Sequence, residues 1–444
     1  MTALPPGLTA AVAERATLHW LAASGITTIH CALVDASGTL RSKRLSAVAA
    51  ARALEQGWSF IDAVQWWGPD DALGRHAGAR SQPAIIELDS GRPYPFGTGG
   101  AIFLAEFTEP LGELSARHQL RRLAERAAAS GLLARVGWEF ECIVLDKVAP
   151  DPVPAMGDNR CWSALTMATQ EEDLAELVAT LERGGIAVDH VCAELGPGCL
   201  EIALSPEHAL RAADAAALAK LYTKAHYARQ ERQATFMAQL GPEFPGLGGH
   251  PSLSLHSAVD GESLLCDDAG VLSKTGAAAV AGIVALLPEL LALVAPYPNS
   301  YRRFGPGNWA PSTASWGDDN YSCALRAVTA DPRTARLELR IPGADVGPHH
   351  ALAMLLGAAL YGIEERLDPP PPVVAPLDGR QQSEAAALPH DLVTAADRFA
   401  RSDVARELFG DAFTAHFASS RRDEAAACHR FVSPEERARY LAQV

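Results

Sequence analysis

Glu139 and Glu141 stand one residue apart in a mostly apolar run that spans residues 136–145. If this run is a strand, both side chains project from the same face, because successive side chains alternate. The flanking residues are β-prone and apolar, so we expect the strand to be buried. Neighbouring carboxylates in a buried space repel each other unless a cation neutralises them. The pair therefore indicates a divalent metal site.

The rest of the chain offers more ligands of the same kind. Glu194 and Glu201 bracket a Gly-Pro-Gly turn that would let them face each other across a hairpin. His250 follows a glycine-rich loop, and Glu338 is central in the strand-like run Arg-Leu-Glu-Leu-Arg. Five carboxylates and one imidazole suit Mg²⁺ or Mn²⁺ better than zinc or copper. Taken singly, each is more typical of a solvated surface, so the hypothesis requires the fold to bring them together.

Arginines in the second half of the chain indicate the anion that such metals would share. They are Arg302, Arg303, Arg326, Arg336 and Arg340. Guanidinium groups bind carboxylates and phosphates through paired hydrogen bonds, although surface salt bridges are the commoner use of arginine. Metal-binding carboxylates together with convergent arginines fit phosphoryl transfer, in which ions and fixed donors neutralise the transferred group.

Composition limits the partners and the location. The net charge of −15 argues against a nucleic-acid partner. The eight cysteines form no CxxC pair, so we expect reduced thiols and a cytoplasmic protein. No signal peptide is expected at the N-terminus, and the longest apolar stretch, 276–296, contains Glu289 and two prolines. We expect that stretch to be a buried helix and not a membrane span.

Periodicity predicts an α+β chain of two parts. The first part should contain helices at 10–23 and 46–56 and strands at 27–33, 40–45 and 101–107, ending near 108–113. The second should contain helices at 115–130, 205–232 and 348–366 and a strand at 336–341. A capping box at 169–172 should begin another helix, and Ser205 and Pro206 should cap the long one.

Five segments, in this order, resemble the glutamine synthetase family over nearly the whole chain. They are the paired glutamates Glu139 and Glu141, the loop from Glu194 to Glu201, the run 234–237 (ATFM), the segment 299–303 (NSYRR) with Ala310 and Pro311, and the strand 336–340. The resemblance implies a small N-terminal β-grasp domain, residues 1–112, and a larger catalytic α+β domain, residues 113–444. It also implies a homo-oligomer of stacked hexameric rings, with active sites between subunits.

The resemblance also assigns roles to matched positions. Glu141, Glu194 and Glu201 would hold the metal nearer the carboxylate substrate, and Glu139, His250 and Glu338 the metal nearer ATP, with Mg²⁺ or Mn²⁺ as the ion. Arg303, Gly246 and Trp309 would contact the acid and amine substrates, and Ser254, Arg326 and Arg336 the nucleotide. Arg303 and Arg340 would be catalytic. The family's reaction phosphorylates a carboxylate with ATP, and an amine then attacks the acyl phosphate.

Several positions depart from the family pattern. Trp309 stands where ammonia-using members carry a glutamate that binds ammonium, so we expect an organic amine, although the indole could simply be packing. The other departures are Ser252 for a histidine, Gln239 for a lysine, Tyr321 for an arginine and Pro245 for an asparagine.

These departures leave three hypotheses open. The first is a ligase that joins glutamate to an organic amine. The second is the same ligation with a different carboxylic acid, and the third is a pseudoenzyme with a binding role. An ammonia-fixing glutamine synthetase ranks below all three because of Trp309.

Overall fold

The computed structural model describes residues 19–74, 78–147, 152–156, 160–304, 309–374 and 385–441. Most of the helix predicted at 10–23 lies outside these ranges, and residues 19–23 form its helical end. Within these ranges the chain is α+β, as predicted, with two sheets and two hydrophobic cores.

The first sheet lies in the N-terminal part and has the strand order β2-β1-β6-β4-β3, with β5 paired to β6. Its helix α1 begins after Ser46, whose side chain accepts a hydrogen bond from the Ala49 amide, and ends at Gly57, as predicted. The bounds are β1 Thr28–Val34, β2 Leu40–Leu45, α1 Ala47–Gln56, β3 Trp58–Ile61, β4 Ser81–Ile86, β5 Arg92–Pro93 and β6 Gly100–Phe107.

The second sheet has nine strands in the order β13-β14-β15-β12-β7-β10-β9, with β8 and β11 also paired to β7. All its pairings are antiparallel except β13 with β14. The bounds are β7 Leu132–Lys147, β8 Val153–Pro154, β9 Val188–Ala193, β10 Cys199–His208, β11 Gln233–Thr235, β12 Gly249–Ser257, β13 Trp316–Asp318, β14 Leu325–Val328 and β15 Arg336–Leu339.

Helices cover one face of this larger sheet. Two of them, α2 and α5, pack on β7, and α7 packs on α2, α5 and α6. Trp138 and Phe140 of β7 point into this core and are buried, so Glu139 and Glu141 project from the opposite face. The bounds are α2 Ala116–Ala129, α3 Ala164–Thr169, α4 Glu171–Arg183, α5 Ala209–Ala228, α6 Lys274–Leu290, α7 Pro348–Glu365, α8 Leu392–Arg401, α9 Asp403–Cys428 and α10 Pro434–Tyr440.

The apolar stretch predicted as a buried helix is α6 and the turn after it. By length and composition alone, the segment Lys274–Leu293 could cross a membrane, but 78% of its most apolar window is buried inside the protein. Gly282 of α6 and Gly362 of α7 touch closely, so that a side chain on either would collide with the other helix. The segment therefore packs as a core helix.

Two predicted helix starts were wrong. Ser205 and Pro206 do not cap a helix, because β10 continues to His208 through an irregularity between Leu204 and Glu207, and α5 begins only at Ala209. The pairing of β10 with β7 and β9 holds these residues in a strand, although Ser-Pro is locally typical of a helix start. The capping box at 169–172 does not form either, since Thr169 ends α3 and its hydroxyl donates to the Thr166 carbonyl.

A buried ionic network joins the N-terminal sheet to the helical layer. Arg117 of α2 donates two hydrogen bonds of 2.8 Å to the carboxylate of Asp214 of α5 and one of 2.8 Å to Glu106 of β6. His349 of α7 contacts Asp214 at 2.8 Å. Burial alone would raise the pKa of Asp214, but the charge and hydrogen bonds of Arg117 outweigh it and lower that pKa. The network therefore depends on Arg117 remaining in place.

We predict that Arg117→Met lowers the free energy of unfolding by about 3–5 kcal/mol, because it leaves Asp214 buried without its arginine and leaves Glu106 with Arg121 alone. Urea unfolding followed by fluorescence measures the change. Arg333→Met is the control, since Arg333 pairs with Asp331 in an exposed position and its loss should change stability by less than about 1 kcal/mol. Equal effects of the two substitutions would contradict a structural role for the buried network.

Candidate active site

The face of the larger sheet opposite the helices carries the acidic residues singled out in the sequence. Glu141 of β7 pairs with Glu201 of β10, and Glu139 of β7 pairs with His250 of β12. Cross-strand partners present side chains on the same face. Glu194 follows β9 at the turn that joins it to β10, so the predicted hairpin is confirmed.

Glu139, His250 and Glu338 form a compact group on this face. Each offers one ligand atom, and these atoms lie within 4.8 Å of one another. His250 and Glu338 are buried, whereas Glu139 remains partly accessible. The donor set is two carboxylates and one imidazole, which fits a divalent ion.

Glu141 and Glu201 face each other one row along the same face, and the charge of Glu194 acts on both, but these three carboxylates are not among the described groups whose ligand atoms lie within 4.8 Å of one another. The pKa of Glu201 rises to about 7, chiefly because of burial and then because of the charges of Glu139, Glu141 and Glu194. Burial also raises the pKa of Glu141 and, together with Glu338, brings that of Glu139 to about 6. The protein thus holds several carboxylates in a field that favours a neutralising cation.

His250 has the protonation state that metal binding needs. Burial lowers its pKa well below the ordinary value, and the charges of Arg340, Arg303 and Arg326 lower it further. The imidazole is therefore neutral near pH 7, which is the form that coordinates metals.

Gly248 lets Glu141 and His250 approach each other. A Cβ atom at this position would lie 2.4 Å from His250 Nε2 and 2.9 Å from Glu141 Oε1. Its amide also donates a 2.7 Å hydrogen bond to Glu141 Oε2, which fixes that carboxylate. A side chain here would therefore displace both.

Glu338 accepts hydrogen bonds from two of the arginines, Arg326 and Arg340. Arg326 Nη1 donates to its Oε2 at 2.7 Å, and Arg340 Nη1 donates to its Oε1. Arg336, two residues before Glu338 on the same strand, is half-buried, and its charge lowers the pKa of Glu139. The three guanidinium groups thus surround the Glu139 group, where they could face phosphate oxygens.

Arg303 is more buried than Arg326 and Arg340. It is 2% exposed, donates to the carbonyls of Arg340 and Ile341, and places Nη2 3.1 Å from His250 Nε2. Burial lowers its pKa to about 10. It therefore stays charged at neutral pH beside Glu141 and His250.

The remaining predicted site residues lie further from this centre. Ser254 is on the same strand as His250 and contacts the Arg135 carbonyl and His256. Gly246 is buried in the loop before β12. Trp309 is 63% exposed and has a left-handed backbone, with φ of 51°. The preceding Gly307 and Asn308 lie outside the described residues.

The departures from the family pattern have their own contacts. The Tyr321 ring stacks on Arg326, 3.8 Å from the guanidinium carbon to the ring centroid, and its carbonyl accepts a hydrogen bond from Arg340. Gln239 donates to the carbonyls of Gly241 and Phe244 and so braces the loop before Gly246. Tyr321 and Gln239 thus support the site from outside it.

The other two departures from the family pattern are Ser252 and Pro245. The buried hydroxyl of Ser252 has no hydrogen-bond partner among the described residues, and Ser252 pairs with Glu338 across the strands. Pro245 packs against Gly196, where an added Cβ would meet its ring at 2.6 Å. The proline ring thus packs against the turn that lies between Glu194 and Glu201.

Sequence reasoning missed three contributors to the site. Asp319 accepts hydrogen bonds of 2.8 and 2.5 Å from Arg326. His190 and Cys192 of β9 lie beside Glu201. The alternation of His190 and Cys192 in a short strand ahead of Glu194 was the available signal.

Metal binding should be linked to proton release. Because the raised pKa values of Glu139 and Glu201, about 6 and about 7, belong to the metal-free protein, a cation must displace protons below these values. We predict that Mn²⁺ affinity rises as the pH increases from about 6 to about 8, with net proton release that diminishes over the same range. Calorimetry in buffers of different ionisation enthalpy measures both; affinity independent of pH with no proton release would contradict the prediction.

Comparisons with known proteins agree with the geometry. The model of the glutamine synthetase catalytic domain matches residues 113–440. The chain is 32% identical to a glutamate–isopropylamine ligase from Pseudomonas sp over 94% of this chain and 95% of that protein. It is 34% identical to a γ-glutamylethanolamide synthetase from Streptomyces coelicolor, covering 92% and 91% of the two chains.

Solved structures give the same result. The GmaS/ADP complex superposes with a TM-score of 0.84 at 26% identity, covering 96% of this chain and 99% of that one. GmaS without ligand superposes with a TM-score of 0.83 at 26% identity, covering 95% and 98%. The chain belongs to the glutamine synthetase family and is an ATP-dependent carbon–nitrogen ligase.

Proposed function

We propose that the protein joins the γ-carboxylate of glutamate to an organic amine, using ATP and forming an acyl phosphate as intermediate. The observation that carries the proposal is the shared sheet face, on which two groups of carboxylates meet a buried histidine and four arginines. The names of the two relatives described above, an isopropylamine ligase and an ethanolamide synthetase, support an amine as the second substrate.

Divalent ions, Mg²⁺ or Mn²⁺, would be held by Glu139, His250 and Glu338 and by Glu141, Glu194 and Glu201. Bound there, they would neutralise phosphate charge. The protein's own groups would do the positioning. Arg326 and Arg336, with Ser254 further along β12, would face the nucleotide, and Arg340 would face the transferred phosphoryl group. Arg303 and the backbone at Gly246 would orient the acid. These assignments rest on the family resemblance and on the mutual proximity of the charged side chains.

The reaction needs two substitutions. A carboxylate oxygen forms a bond to the γ-phosphorus of ATP while the bond to ADP breaks, which turns a poor leaving group into phosphate. The amine nitrogen then bonds to the acyl carbon, phosphate departs, and the nitrogen loses a proton. Fixed guanidinium groups favour the first step because they need no reorganisation as charge shifts.

Trp309 is the residue that we assign to the amine side. An indole has no carboxylate to take a proton from ammonium or to form an ion pair with it, but it offers a flat apolar surface to an alkyl chain. The ring is largely exposed on a loop rather than packed in the core, which is consistent with a contact surface for substrate.

A second candidate function is ligation of a carboxylic acid other than glutamate. Pro245 favours it, because a proline that packs on Gly196 has no side-chain group to bind an α-amino group. The assignment as a ligase favours these two functions over the pseudoenzyme.

We further propose a cytoplasmic homo-oligomer of stacked hexameric rings, with a boundary between domains at 112 and 113. The supporting observations are eight free cysteines, the family match that begins at residue 113, and the family resemblance. Light scattering after size-exclusion chromatography tests the assembly.

Phosphate release in the presence of ATP, Mg²⁺ and a panel of acids and amines tests the substrates. We predict turnover with glutamate and a small alkylamine or hydroxyalkylamine, and at least about tenfold lower kcat/KM with ammonium, equivalent to about 1.4 kcal/mol of transition-state stabilisation. Strong turnover with ammonium would contradict the role of Trp309. Turnover only with another acid would select the second candidate.

Substitution of the paired glutamates tests the metal groups. We predict that Glu139→Ala and Glu141→Ala each lower kcat by at least about a hundredfold. Each substitution removes a carboxylate that would hold an ion, and that ion would neutralise phosphate charge. Circular dichroism and chromatography should show an intact fold. Glu243→Ala, at an exposed glutamate in the loop before Gly246, is the matched control and should keep full activity. Full activity in either paired-glutamate variant would exclude the assignment.

A further inference from the structure

The ligand-bearing face of the larger sheet extends one strand beyond the acidic groups. On the edge strand β9, His190 and Cys192 are two residues apart and project from the same face. Cys192 pairs with Glu201 of β10, and His190 pairs with Ala203. The row that crosses the sheet therefore reads Cys192, Glu201, Glu141.

His190, Cys192 and Glu201 form a three-ligand group of their own. Their ligand atoms lie within 4.8 Å of one another. The distance from His190 Nε2 to Glu201 Oε1 is 3.4 Å, and that from Cys192 Sγ to the same oxygen is 3.8 Å. Two ligands of a tetrahedral zinc ion, bound at about 2.0–2.3 Å, are separated by roughly 3.3–3.7 Å. The spacing thus fits an ion with little movement.

The contacts of the two ring nitrogens of His190 also favour metal binding. Its Nδ1 lies 3.2 Å from Asp189 Oδ2, while Nε2 faces Glu201. A carboxylate that accepts from one ring nitrogen leaves the other free to bind a metal, and such pairs are typical of zinc sites. Asp189 and His190 are exposed, so an ion can reach the group from solvent.

The chemistry of this group differs from that of the neighbouring acidic sites. Carboxylates alone suit hard ions, whereas a thiolate and an imidazole select zinc and similar thiophilic ions. The ligation reaction assigns no role to His190 or Cys192. Yet Glu201 belongs both to this group and to the set proposed for the metal nearer the acid.

We propose that His190, Cys192 and Glu201 bind Zn²⁺ at the mouth of the active site, and that the bound ion inhibits the enzyme by withdrawing Glu201 from the catalytic metal set. Water would complete the tetrahedron. The inhibition rests on the proposed function, but the binding does not.

Cobalt spectroscopy tests the binding directly, with Co²⁺ as the probe for a zinc site. We expect the wild-type protein with Co²⁺ to show tetrahedral absorption and a thiolate-to-cobalt charge-transfer band. Cys192→Ser should abolish the band, and His190→Ala should weaken binding at least about tenfold, as even outer-shell changes can. Absence of the band in the wild type, or its persistence in Cys192→Ser, would overturn the proposal.

Two other cysteines provide matched controls. Cys161 Sγ lies 3.2 Å from Glu194 at the same mouth but outside the three-ligand group. Cys428 lies 3.8 Å from Glu424, the same thiol-to-carboxylate distance as in the proposed site, but without a histidine in a three-ligand group. Cys161→Ser and Cys428→Ser should both retain the charge-transfer band. Loss of the band in Cys161→Ser would show that Cys161, and not Cys192, supplies the thiolate, and would overturn the proposed site.

Inhibition is measured separately, with Zn²⁺ added to the Mg²⁺-dependent reaction. The Zn²⁺ concentration for half-inhibition should rise at least about tenfold in Cys192→Ser and remain unchanged in Cys428→Ser. Equal inhibition of both variants, with the cobalt band intact in the wild type, would reject the regulatory part and keep the binding site. A protein with the cobalt band but no ligase activity would reject the proposed function alone.

Discussion

Repulsion among the carboxylates on one face of the nine-stranded sheet is the constraint on which the rest of the site depends. Burial and mutual charge raise the pKa values of Glu139, Glu141 and Glu201, and strand pairing prevents them from moving apart. The fold tolerates this arrangement because arginines hold Glu338 and the Gly248 amide holds Glu141. Cations would neutralise the remaining negative charge, so the repulsion that the fold tolerates also favours metal binding.

Residues that depart from the family pattern maintain this arrangement by other contacts. Tyr321 cannot bind phosphate as an arginine would, but its ring and carbonyl position Arg326 and Arg340. Gln239 braces the loop before Gly246 by donating to the carbonyls of Gly241 and Phe244. Pro245 and Trp309 lie on loops and are not part of the group of Glu139, His250 and Glu338.

Much of the fold and of the candidate site could be predicted from the sequence, because the residue patterns that indicate them are local. The alternation of Glu139 and Glu141 fixed their shared face, and Ser46 and Gly57 marked both ends of α1. The start of α5 was wrong because the Ser205-Pro206 signal is local, whereas β10 is held by its pairing with two strands. The contacts of Asp319 with Arg326 and of His190 and Cys192 with Glu201 were missed because sheet pairing brings these segments together, although the alternation of His190 and Cys192 was visible in the sequence.

The most direct test of the account follows one oxygen atom. Glutamate labelled with ¹⁸O in its γ-carboxylate is turned over with ATP, Mg²⁺ and the preferred amine, and the released phosphate is analysed by mass spectrometry. If the carboxylate attacks the γ-phosphorus, one labelled oxygen passes to phosphate for each amide formed. Unlabelled phosphate formed in step with the amide would contradict the acyl-phosphate route and the role given to the shared face.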